Sequence, residues 1–275
     1  MILYGKKIAE KILRITAQKI KSEKLKPSLA VVLIGENKAS RLYVSLKAKA
    51  AEKIGVKFSL YKFKENAGER EIIEEINSLN KDSKTNGIIV QLPLPKKYNT
   101  QKIINSISPR KDVDGFSAKG GSASGGHPNK FLPVFPRAIL ELIKATEINL
   151  RNKKAVIVGN SKIFGETMKK MLEEEKIQAE YALTPTLSRR ERGLISQADI
   201  LISAVGKPGI IKGEMIKSGV IIIDGGITKV GKKVLGDADF NSTKNKASYI
   251  TPVPGGVGPV TIACLLRNIY LAAKK

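Results

Sequence analysis

The sequence predicts an α/β protein with parallel sheets, organised in two domains. Short runs of β-branched and apolar residues alternate with segments of helical periodicity along almost the whole chain, which is the pattern of βαβ units. A length of 275 residues allows two hydrophobic cores, at roughly 100–200 residues per domain. The segment Ser117–Pro136, rich in Gly, Ser and Pro, interrupts the alternation and is the candidate domain boundary or active-site loop.

The predicted strands are short apolar runs, as expected for parallel strands that are covered on both faces. In chain order they are Ser28–Leu33, Lys57–Phe63, Gly87–Leu92, Ala155–Val158, Ala179–Leu183, Asp199–Val205 and Val220–Asp224. The predicted helices have apolar residues at a spacing of three and four. They are Lys6–Lys21, Ser40–Ile54, Glu69–Asn80, Gln101–Ile107, Arg137–Ile148, Phe164–Lys176, Met215–Ser218 and Val260–Ala273.

The expected domains are residues 1–135 with 250–275, and residues 136–249. The second is the more compact α/β unit and is expected to be Rossmann-like. A Pro/Gly turn, Thr251–Pro259, precedes the last predicted helix and can direct it back onto the first domain.

The composition is strongly basic, with 49 Lys+Arg against 25 Asp+Glu and a net charge of +24. Such a charge favours anionic partners: nucleic acid, an anionic membrane or a phosphorylated small molecule. Most of the basic residues are lysines, which suit a generally basic surface better than base recognition. No basic run is interleaved with aromatic residues and no apolar run approaches the ~20 residues of a membrane span, so neither nucleic acid nor membrane is the expected partner.

Cysteine usage indicates the compartment. Cys264 is the only cysteine, which excludes an intramolecular disulfide and a cysteine metal cluster and fits a reducing environment. The stretch Met1–Ile20 interleaves basic and apolar residues at helical spacing and lacks the continuous apolar core of a signal peptide. The expected location is therefore the cytoplasm.

A candidate nucleotide site follows the predicted strand Ala155–Val158. A strand, a glycine turn and a helix N-terminus bring unpaired N–H groups and the positive end of the helix dipole together. Gly159 permits the tight turn, Ser161 supplies a hydroxyl, and Gly165 allows the helix to approach the strand closely. The spacing is G-x-S-x-x-x-G and departs from G-x-G-x-x-G, so a plain strand-to-helix turn remains an alternative.

The next strand favours NADP over NAD as the cofactor of such a site. An NAD-binding fold usually has an acidic residue at the end of this strand, whereas here Thr184–Arg192 follows with hydroxyls and three guanidinium groups that suit a ribose phosphate. The alternative is a solvated basic helix start.

Polar residues of the first half form a second candidate site. Tyr43 and Lys47 are four residues apart on one helix face, where an aromatic ring could stack on a flat substrate and a buried amine could act as acid or base. An ordinary helix face is the alternative. Gln91 ends an apolar strand and is expected to project towards the crevice beyond the strand ends.

Two acidic residues and the only histidine are further candidates for a functional site. Asp112 and Asp114 lie on one side of the chain if it is extended, but no further Asp, Glu or His lies close in sequence, so no metal site is expected. His127 lies in the Gly/Ser segment without a G-x-S-x-G elbow and is expected to be solvent-exposed.

Taken in order, these features resemble one family, the bifunctional methylenetetrahydrofolate dehydrogenase/cyclohydrolases. The matching stretches are Ala39–Ala50, Gly87–Pro95, Lys111–Phe116, Val158–Ser161, Ala198–Ile202, Val220–Asp224 and Ile250–Pro259, which span nearly the whole chain. The resemblance implies oxidation of methylene-tetrahydrofolate with NADP, followed by hydrolysis of the methenyl product to 10-formyl-tetrahydrofolate, with both steps in one cleft. It also implies a homodimer and a substrate that is often polyglutamylated.

The resemblance also implies residue roles. Lys47 would be the central acid/base, Gln91 would hydrogen-bond and position it, Tyr43 would stack on the folate, and Asp114 would bind the pterin donors. Substrate contacts are further implied for Leu92, Pro254, Gly255 and Gly256. The implied cofactor residues are Gly159, Asn160, Ser161, Gly165, Ser188, Arg189, Arg190 and, near the nicotinamide, Ile227.

The sequence departs from the family pattern at three places. Ser117-Ala118 replaces the usual His-Pro, and Pro133-Val-Phe-Pro136 lacks the usual thiol and hydroxyl. Asn160 stands where many members have an arginine, so Arg189 or Arg190 is expected to contact the ribose phosphate. The alternatives are a member with only one of the two activities and a basic nucleic-acid-binding protein on the same scaffold.

Overall fold

The computed structural model describes residues 1–116, 131–183, 186–231 and 233–274. The helices in this part of the chain are α1 Gly5–Ser22, α2 Lys38–Lys53, α3 Glu69–Lys81, α4 Thr100–Ile104, α5 Val134–Lys144, α6 Lys162–Glu174, α7 Arg189–Gln197, α8 Phe240–Thr243 and α9 Val257–Ala273. The strands are β1 Ser28–Ile34, β2 Lys57–Phe63, β3 Gly87–Val90, β4 Lys154–Gly159, β5 Gln178–Leu183, β6 Ile200–Ala204, β7 Ile221–Asp224, β8 Thr228–Val230, β9 Lys233–Leu235 and β10 Tyr249–Ile250. The α/β class with parallel sheets is confirmed.

The chain divides into two compact units. The three-stranded unit comprises Glu10–Val134 and Ile262–Lys275, and the five-stranded unit comprises Met1–Ala9 and Phe135–Thr261. These limits differ from the expected ones, because residues 1–9 and 250–261 belong to the five-stranded unit. The physical reason is strand pairing: Ile250 pairs in parallel with Ile222 of β7 and also bridges Ile2.

In the three-stranded unit the sheet order is β2-β1-β3 and both pairs are parallel. Every residue of β1 is buried, as expected for the central strand. Helix α3 covers the sheet with Ile72, Ile76 and Leu79, which share one helix face. Val90 pairs with Val32, so Gln91 lies at the carboxyl end of the sheet.

In the five-stranded unit the order is β10-β7-β6-β4-β5, again parallel throughout. Its core joins the sheet to α7 through Val156, Leu201, Ile222 and Ile195. The strands β8 and β9 form a separate antiparallel hairpin between β7 and α8. Gly159, Ala204 and Asp224 end three neighbouring strands at the carboxyl edge of this sheet.

The C-terminal helix returns to the first part of the chain, as expected. Residues from Ile262 onwards belong to the three-stranded unit, and the Tyr270 hydroxyl donates a 2.7 Å hydrogen bond to Glu23 just beyond α1. None of the helices in the described part of the chain has the length and apolar character needed to span a bilayer.

Some predicted elements were wrong in detail. The expected helix Met215–Ser218 is a single 3-10 turn at Gly213–Met215, because Gly219, with a φ of +82°, reverses the chain before β7. Helix α7 was predicted only as an alternative, although Ser188 and Glu191 form a capping box at its start. The predicted strand Gly87–Leu92 ends at Val90, ahead of Pro93 and Pro95, which cannot donate hydrogen bonds to a sheet.

Candidate functional site

A buried lysine and a glutamine form the centre of the candidate site in the three-stranded unit. Helix α2 begins after Asn37, whose side chain accepts hydrogen bonds from the backbone N–H groups of Ala39 and Ser40. Three turns later, Lys47 is 7% exposed and its Nζ donates a 2.9 Å hydrogen bond to Oε1 of Gln91. The Gln91 Nε2 group in turn donates to the Leu92 carbonyl at 2.7 Å, which fixes the orientation of the amide.

The segment that carries Asp114 is held by backbone contacts. Asp112 bridges β3 at Ile88, and its Oδ1 accepts a hydrogen bond from Gly115 N–H at 3.0 Å. Gly115 has a φ of +75° and lies so close to Pro133 that a Cβ would overlap its backbone. The Asp114 carbonyl accepts a 3.1 Å hydrogen bond from Val134 N–H.

Burial lowers the pKa of Lys47 and raises the pKa of Asp114, so the two pKa values come closer together. Burial lowers the pKa of the Lys47 amine, and the Asp114 carboxyl opposes this shift. Burial raises the pKa of Asp114 to about 6, with the Lys47 charge working against the rise and Asp112 adding to it. Both groups are thus brought closer to titration near neutral pH, which is what acid/base chemistry in a cleft requires.

Tyr43 lies one turn before Lys47 on α2 and is half-buried. Burial raises the pKa of its phenol, so the ring stays uncharged at neutral pH. It therefore offers a neutral aromatic face beside the lysine.

The residues Pro254, Gly255 and Gly256 lie in the five-stranded unit, unlike Lys47. Gly255 has a φ of +108°, and its carbonyl accepts a 2.9 Å hydrogen bond from Gly5 N–H. A Cβ at Gly256 would overlap the Thr251 side chain. The close packing explains the glycines, and a substrate contact for these three residues stays a prediction.

The strand–turn–helix predicted at β4 and α6 is present. Gly159 ends β4, and Ser161 is the N-cap of α6, accepting a 3.4 Å hydrogen bond from Phe164 N–H. The side chain of Asn160 donates to the Val205 carbonyl at 2.8 Å. Gly165 lies against the ring of Tyr181 in β5, where a Cβ would overlap the ring, so the expected close approach of helix and strand is observed.

The other predicted cofactor residues lie at or near the same edge of this sheet. Ser188 caps α7, and Arg189 and Arg190 are exposed in its first turn. Ile227 follows β7 and is 54% exposed. Exposed cations and helix N-termini are the groups that bind phosphates, so these residues fit an anionic dinucleotide. Thr184, Pro185, His127 and the segment 117–130 lie outside the described residues.

Metal binding finds no support in the described ranges, where no three His, Cys, Asp or Glu side chains come together as a candidate site. Asp112 and Asp114, the pair considered from the sequence, are engaged instead with backbone and with Lys47.

Comparison with models of known protein families shows the family to which the chain is related. The model of the catalytic domain of the tetrahydrofolate dehydrogenase/cyclohydrolases matches residues 3–114, and that of their NAD(P)-binding domain matches residues 133–275. The chain belongs to this family. The resemblance seen in the sequence is confirmed.

Individual tetrahydrofolate dehydrogenase/cyclohydrolases are similar over the full length. The chain is 43% identical to the bifunctional protein FolD of Acetivibrio thermocellus, over 99% of this chain and 96% of the relative. The crystal structure of the bifunctional FolD enzyme of Campylobacter jejuni matches with a TM-score of 0.90 and 40% identity, over 100% of this chain and 98% of that one. The Trypanosoma brucei FolD, crystallised with NADP and an inhibitor, matches with a TM-score of 0.92 and 29% identity, over 100% and 97%.

Three polar residues of this dehydrogenase/cyclohydrolase were missed in the sequence. Asn268 of α9 donates to the carbonyls of Val113 and Leu132, on either side of the segment 117–130. Asp224 and Asp237 are buried at the carboxyl edge of the five-stranded sheet. In the sequence, Asn268 is a lone amide within an apolar helix, and Asp224 and Asp237 are acidic residues next to glycines. Neither pattern indicates which residue each side chain binds.

Proposed function

We propose that this member of the family oxidises methylene-tetrahydrofolate to methenyl-tetrahydrofolate with NADP and hydrolyses the product to 10-formyl-tetrahydrofolate. The observation that carries the proposal is the hydrogen bond from Lys47 to Gln91, in an environment that lowers the pKa of the amine and raises that of Asp114. Full-length similarity to bifunctional relatives supports both activities.

The folate is held by groups of complementary chemistry. Ionised Asp114 accepts hydrogen bonds from the N–H donors of the pterin, which a carboxylate does more strongly than a neutral acceptor. The uncharged ring of Tyr43 stacks on the flat heterocycle. Leu92 of the same unit supplies a further contact to the substrate, and the substrate contacts that the resemblance implies for Pro254, Gly255 and Gly256 stay predictions.

In the oxidation, NADP when bound supplies the hydride acceptor. Gly159, Asn160, Ser161 and Gly165 shape its phosphate site at the start of α6, while Ile227 lies towards the nicotinamide. Ser188, Arg189 and Arg190 bind the ribose phosphate at the start of α7. Removal of the hydride leaves the imidazolidine ring closed as the methenyl cation, so Lys47 assists opening of the ring only in the hydrolysis, and Gln91 keeps the amine in place.

In the hydrolysis, Lys47 acts as the base. Its neutral amine takes a proton from water while the oxygen forms a bond to the methenyl carbon. The hydroxyl so formed then loses its proton to solvent while the bond from that carbon to one ring nitrogen breaks. This nitrogen takes the proton held by Lys47 and leaves as an N–H group, so that the formyl group remains on the other nitrogen and Lys47 is neutral again. The lowered pKa of Lys47 provides the neutral amine that the first step needs.

The experiment follows methenyl-tetrahydrofolate by its absorbance with purified protein. One assay measures its formation from methylene-tetrahydrofolate with NADP or NAD, and the other its decay by hydrolysis. Activity in both assays with NADP preferred is the expected result. Activity in one assay alone identifies a single-activity member, and silence in both from folded protein contradicts the proposal.

The same proposal includes assembly, substrate form and location. We expect a homodimer in the cytoplasm, which light scattering and cell fractionation test. The net charge of +24 suits a polyglutamylated folate, so KM should fall as glutamates are added to the substrate and the effect should weaken with salt. Salt-dependent retention on DNA without folate turnover would instead favour the nucleic-acid-binding alternative.

A further inference from the structure

A buried carboxylate outside the proposed chemistry lies at the end of the β8–β9 hairpin in the five-stranded unit. Asp237 is 0% exposed. Its Oδ2 accepts hydrogen bonds from the Ser203 hydroxyl at 2.7 Å and from Val205 N–H at 2.6 Å, and its Oδ1 accepts one from Lys207 N–H at 2.8 Å. One side chain thus binds Ser203 near the end of β6 and two of the three residues that follow the strand, Val205 and Lys207.

Asp224, at the end of β7, fixes Asp237 in return. Its Oδ1 accepts from the N–H groups of Gly226 and Asp237 at 2.9 and 3.0 Å, and its Oδ2 accepts from Ala238 N–H at 2.8 Å. The two carboxylates therefore connect the ends of β6 and β7 with the end of the hairpin. We refer to Asp224, Asp237 and the backbone groups that they bind as the carboxylate clasp.

Glycines make the clasp possible. A Cβ at Gly226 would overlap the Asp237 carboxylate, and a Cβ at Gly236 would overlap the Asp224 carboxylate. Both carboxylates thus lie directly against the backbone, with no room for water on those sides. The pattern Asp-Gly-Gly before the hairpin and Gly-Asp after it is the sequence counterpart of this packing.

The clasp reaches residues of the proposed cofactor site. Val205, whose N–H is bound by Asp237, accepts the 2.8 Å hydrogen bond from Asn160 that follows β4. The Thr228 hydroxyl donates to the Gly206 carbonyl at 2.9 Å, and Ile227 lies between Thr228 and the clasped Gly226. Dinucleotides bind at the carboxyl edge of such parallel sheets, where these segments lie.

We infer that Asp237 is a positioning residue for the cofactor, which holds the segment Val205–Lys207 in its binding geometry without contacting the ligand, while Asp224 holds Gly226 before Ile227. The inference rests on the proposed NADP site. Every partner of the Asp237 carboxylate is an N–H or O–H donor, so an acceptor on both oxygens is required. An amide in its place would turn an NH₂ group towards the N–H of Val205 or of Lys207 and displace that segment.

The test compares Asp237→Asn with Asp199→Asn. Asp199 lies just before the opposite end of β6, where its carboxylate accepts hydrogen bonds from Lys154 N–H and from Lys217 Nζ at 2.8 and 2.7 Å. Calorimetry measures the Kd for NADP, and kinetics measure KM for NADP, kcat and the rate of methenyl-tetrahydrofolate hydrolysis without NADP.

For Asp237→Asn we expect Kd and KM for NADP to rise by about tenfold or more, the scale of a lost buried hydrogen bond to a charged group. Hydrolysis should stay near the wild-type rate, because Lys47, Gln91 and Asp114 belong to the other unit. Asp199→Asn should leave NADP binding unchanged. A folded Asp237→Asn protein with wild-type affinity for NADP overturns the inference, as does equal weakening by Asp199→Asn.

If Asp237→Asn fails to fold, Ser203→Ala decides, because it removes one of the three donors and keeps the carboxylate. Weaker NADP binding with hydrolysis retained supports the inference, and unchanged binding overturns it. Wild-type protein that binds NADP without turning over folate contradicts the proposed function alone. Wild-type protein that binds no NADP overturns both the cofactor site and the role of Asp237.

Discussion

The Nζ atom of Lys47 lies 2.9 Å from Oε1 of Gln91, although the two residues are 44 positions apart in the sequence. The contact joins the middle of α2 to the first residue after β3. Because the Gln91 amide is itself anchored on the Leu92 carbonyl, its oxygen faces the amine and holds it in one position. The lysine is thus held by a neutral amide, and its burial lowers the pKa of the amine against the opposing charge of Asp114, which suits a group that must give up its proton.

Replacing Lys47 should abolish hydrolysis. In Lys47→Met the apolar stem remains but the base is lost, and a positioned base contributes typically about 10²–10⁴ in rate. We expect the fold and NADP binding to be retained. The matched control is Lys49→Met, since Lys49 is exposed on the same helix. A Lys47→Met protein with near-normal hydrolysis would remove Lys47 from the mechanism.

Titration of Asp114 should make the rate of the reaction fall at acid pH. Its pKa, raised to about 6, means that the carboxylate needed for the pterin forms only as pH rises through that value. The kcat/KM for methylene-tetrahydrofolate should therefore increase between about pH 5 and pH 7 and then level off. In Asp114→Asn, kcat/KM should be low at every pH and should not increase between about pH 5 and pH 7. If the increase is unchanged in this variant, another group is responsible for it.

The same raised pKa affects stability with a defined sign. Folded protein binds the Asp114 proton more tightly than unfolded protein, whose carboxyl titrates near its ordinary value of 3.8. The free energy of unfolding should therefore decrease as pH rises from about 4 to about 6 on account of this group. Asp224, also raised to about 6 by burial, acts in the same direction. Urea unfolding of wild type and Asp114→Asn at both pH values isolates the Asp114 contribution.

The guanidinium groups of α7 should determine the choice of cofactor. Arg189 and Arg190 are exposed in its first turn, where a ribose phosphate can reach them. The double variant Arg189→Ala/Arg190→Ala should lose about tenfold or more of the NADP-over-NAD ratio in kcat/KM, because charge-assisted hydrogen bonds are lost. Arg151→Ala, at an exposed arginine before β4, is the control. An unchanged ratio in the double variant would reject the assignment.

The contact of Gly165 with Tyr181 should be sensitive to a single methyl group. In Gly165→Ala the new Cβ would overlap the Tyr181 ring, so α6 must move away from β5. We expect a loss of about 1–3 kcal/mol in the free energy of unfolding. Gly193→Ala is the matched control within α7, since nothing lies within 4 Å of its Cβ position. That control should stabilise the protein by about 0.5–1 kcal/mol, and stabilisation by both variants would contradict the packing argument.

Asn268 should support folate binding from a distance. It is buried, and its Nδ2 donates to the Val113 carbonyl at 2.9 Å, directly before Asp114. Asn268→Asp places an acceptor against that carbonyl, so we expect KM for the folate to rise by about tenfold with NADP binding unchanged. Tyr270→Phe on the same helix removes the hydrogen bond to Glu23 and the one accepted from Lys274, neither of which involves the segment before Asp114, and should leave KM unchanged. Equal effects of the two variants would indicate a general loss of helix packing.

Local patterns in the sequence were sufficient for some features and not for others. The shared helix face of Tyr43 and Lys47 follows from a spacing of four, and the turn at Gly159 follows from the apolar strand before it. The 3-10 turn at Gly213–Met215 could not be told from a short helix, because its outcome depends on the backbone of Gly219.

Contacts between residues that are far apart in the sequence could be identified only from the three-dimensional structure. Asn268 bonds to Val113 across 155 positions, and the partners of Asp237 in and after β6 are 30 to 34 positions away. No periodicity links such residues, because their distance is set by the order of the strands and by the packing of α9. The resemblance to a known family implies roles for Lys47, Gln91 and Asp114, and these roles stay predictions.

The pairing of early and late segments has a consequence for synthesis of the chain. Ile269 of α9 packs against Gly87, and Ile250 pairs with Ile2, so each unit is closed by residues that are translated long after their partners. Until α9 leaves the ribosome, we expect the nascent chain to expose the apolar surface that this helix covers, and exposed apolar surface promotes aggregation. The segment before Asp114 is then still without Asn268, so we expect the proposed folate site to take its final form only after α9 has been translated.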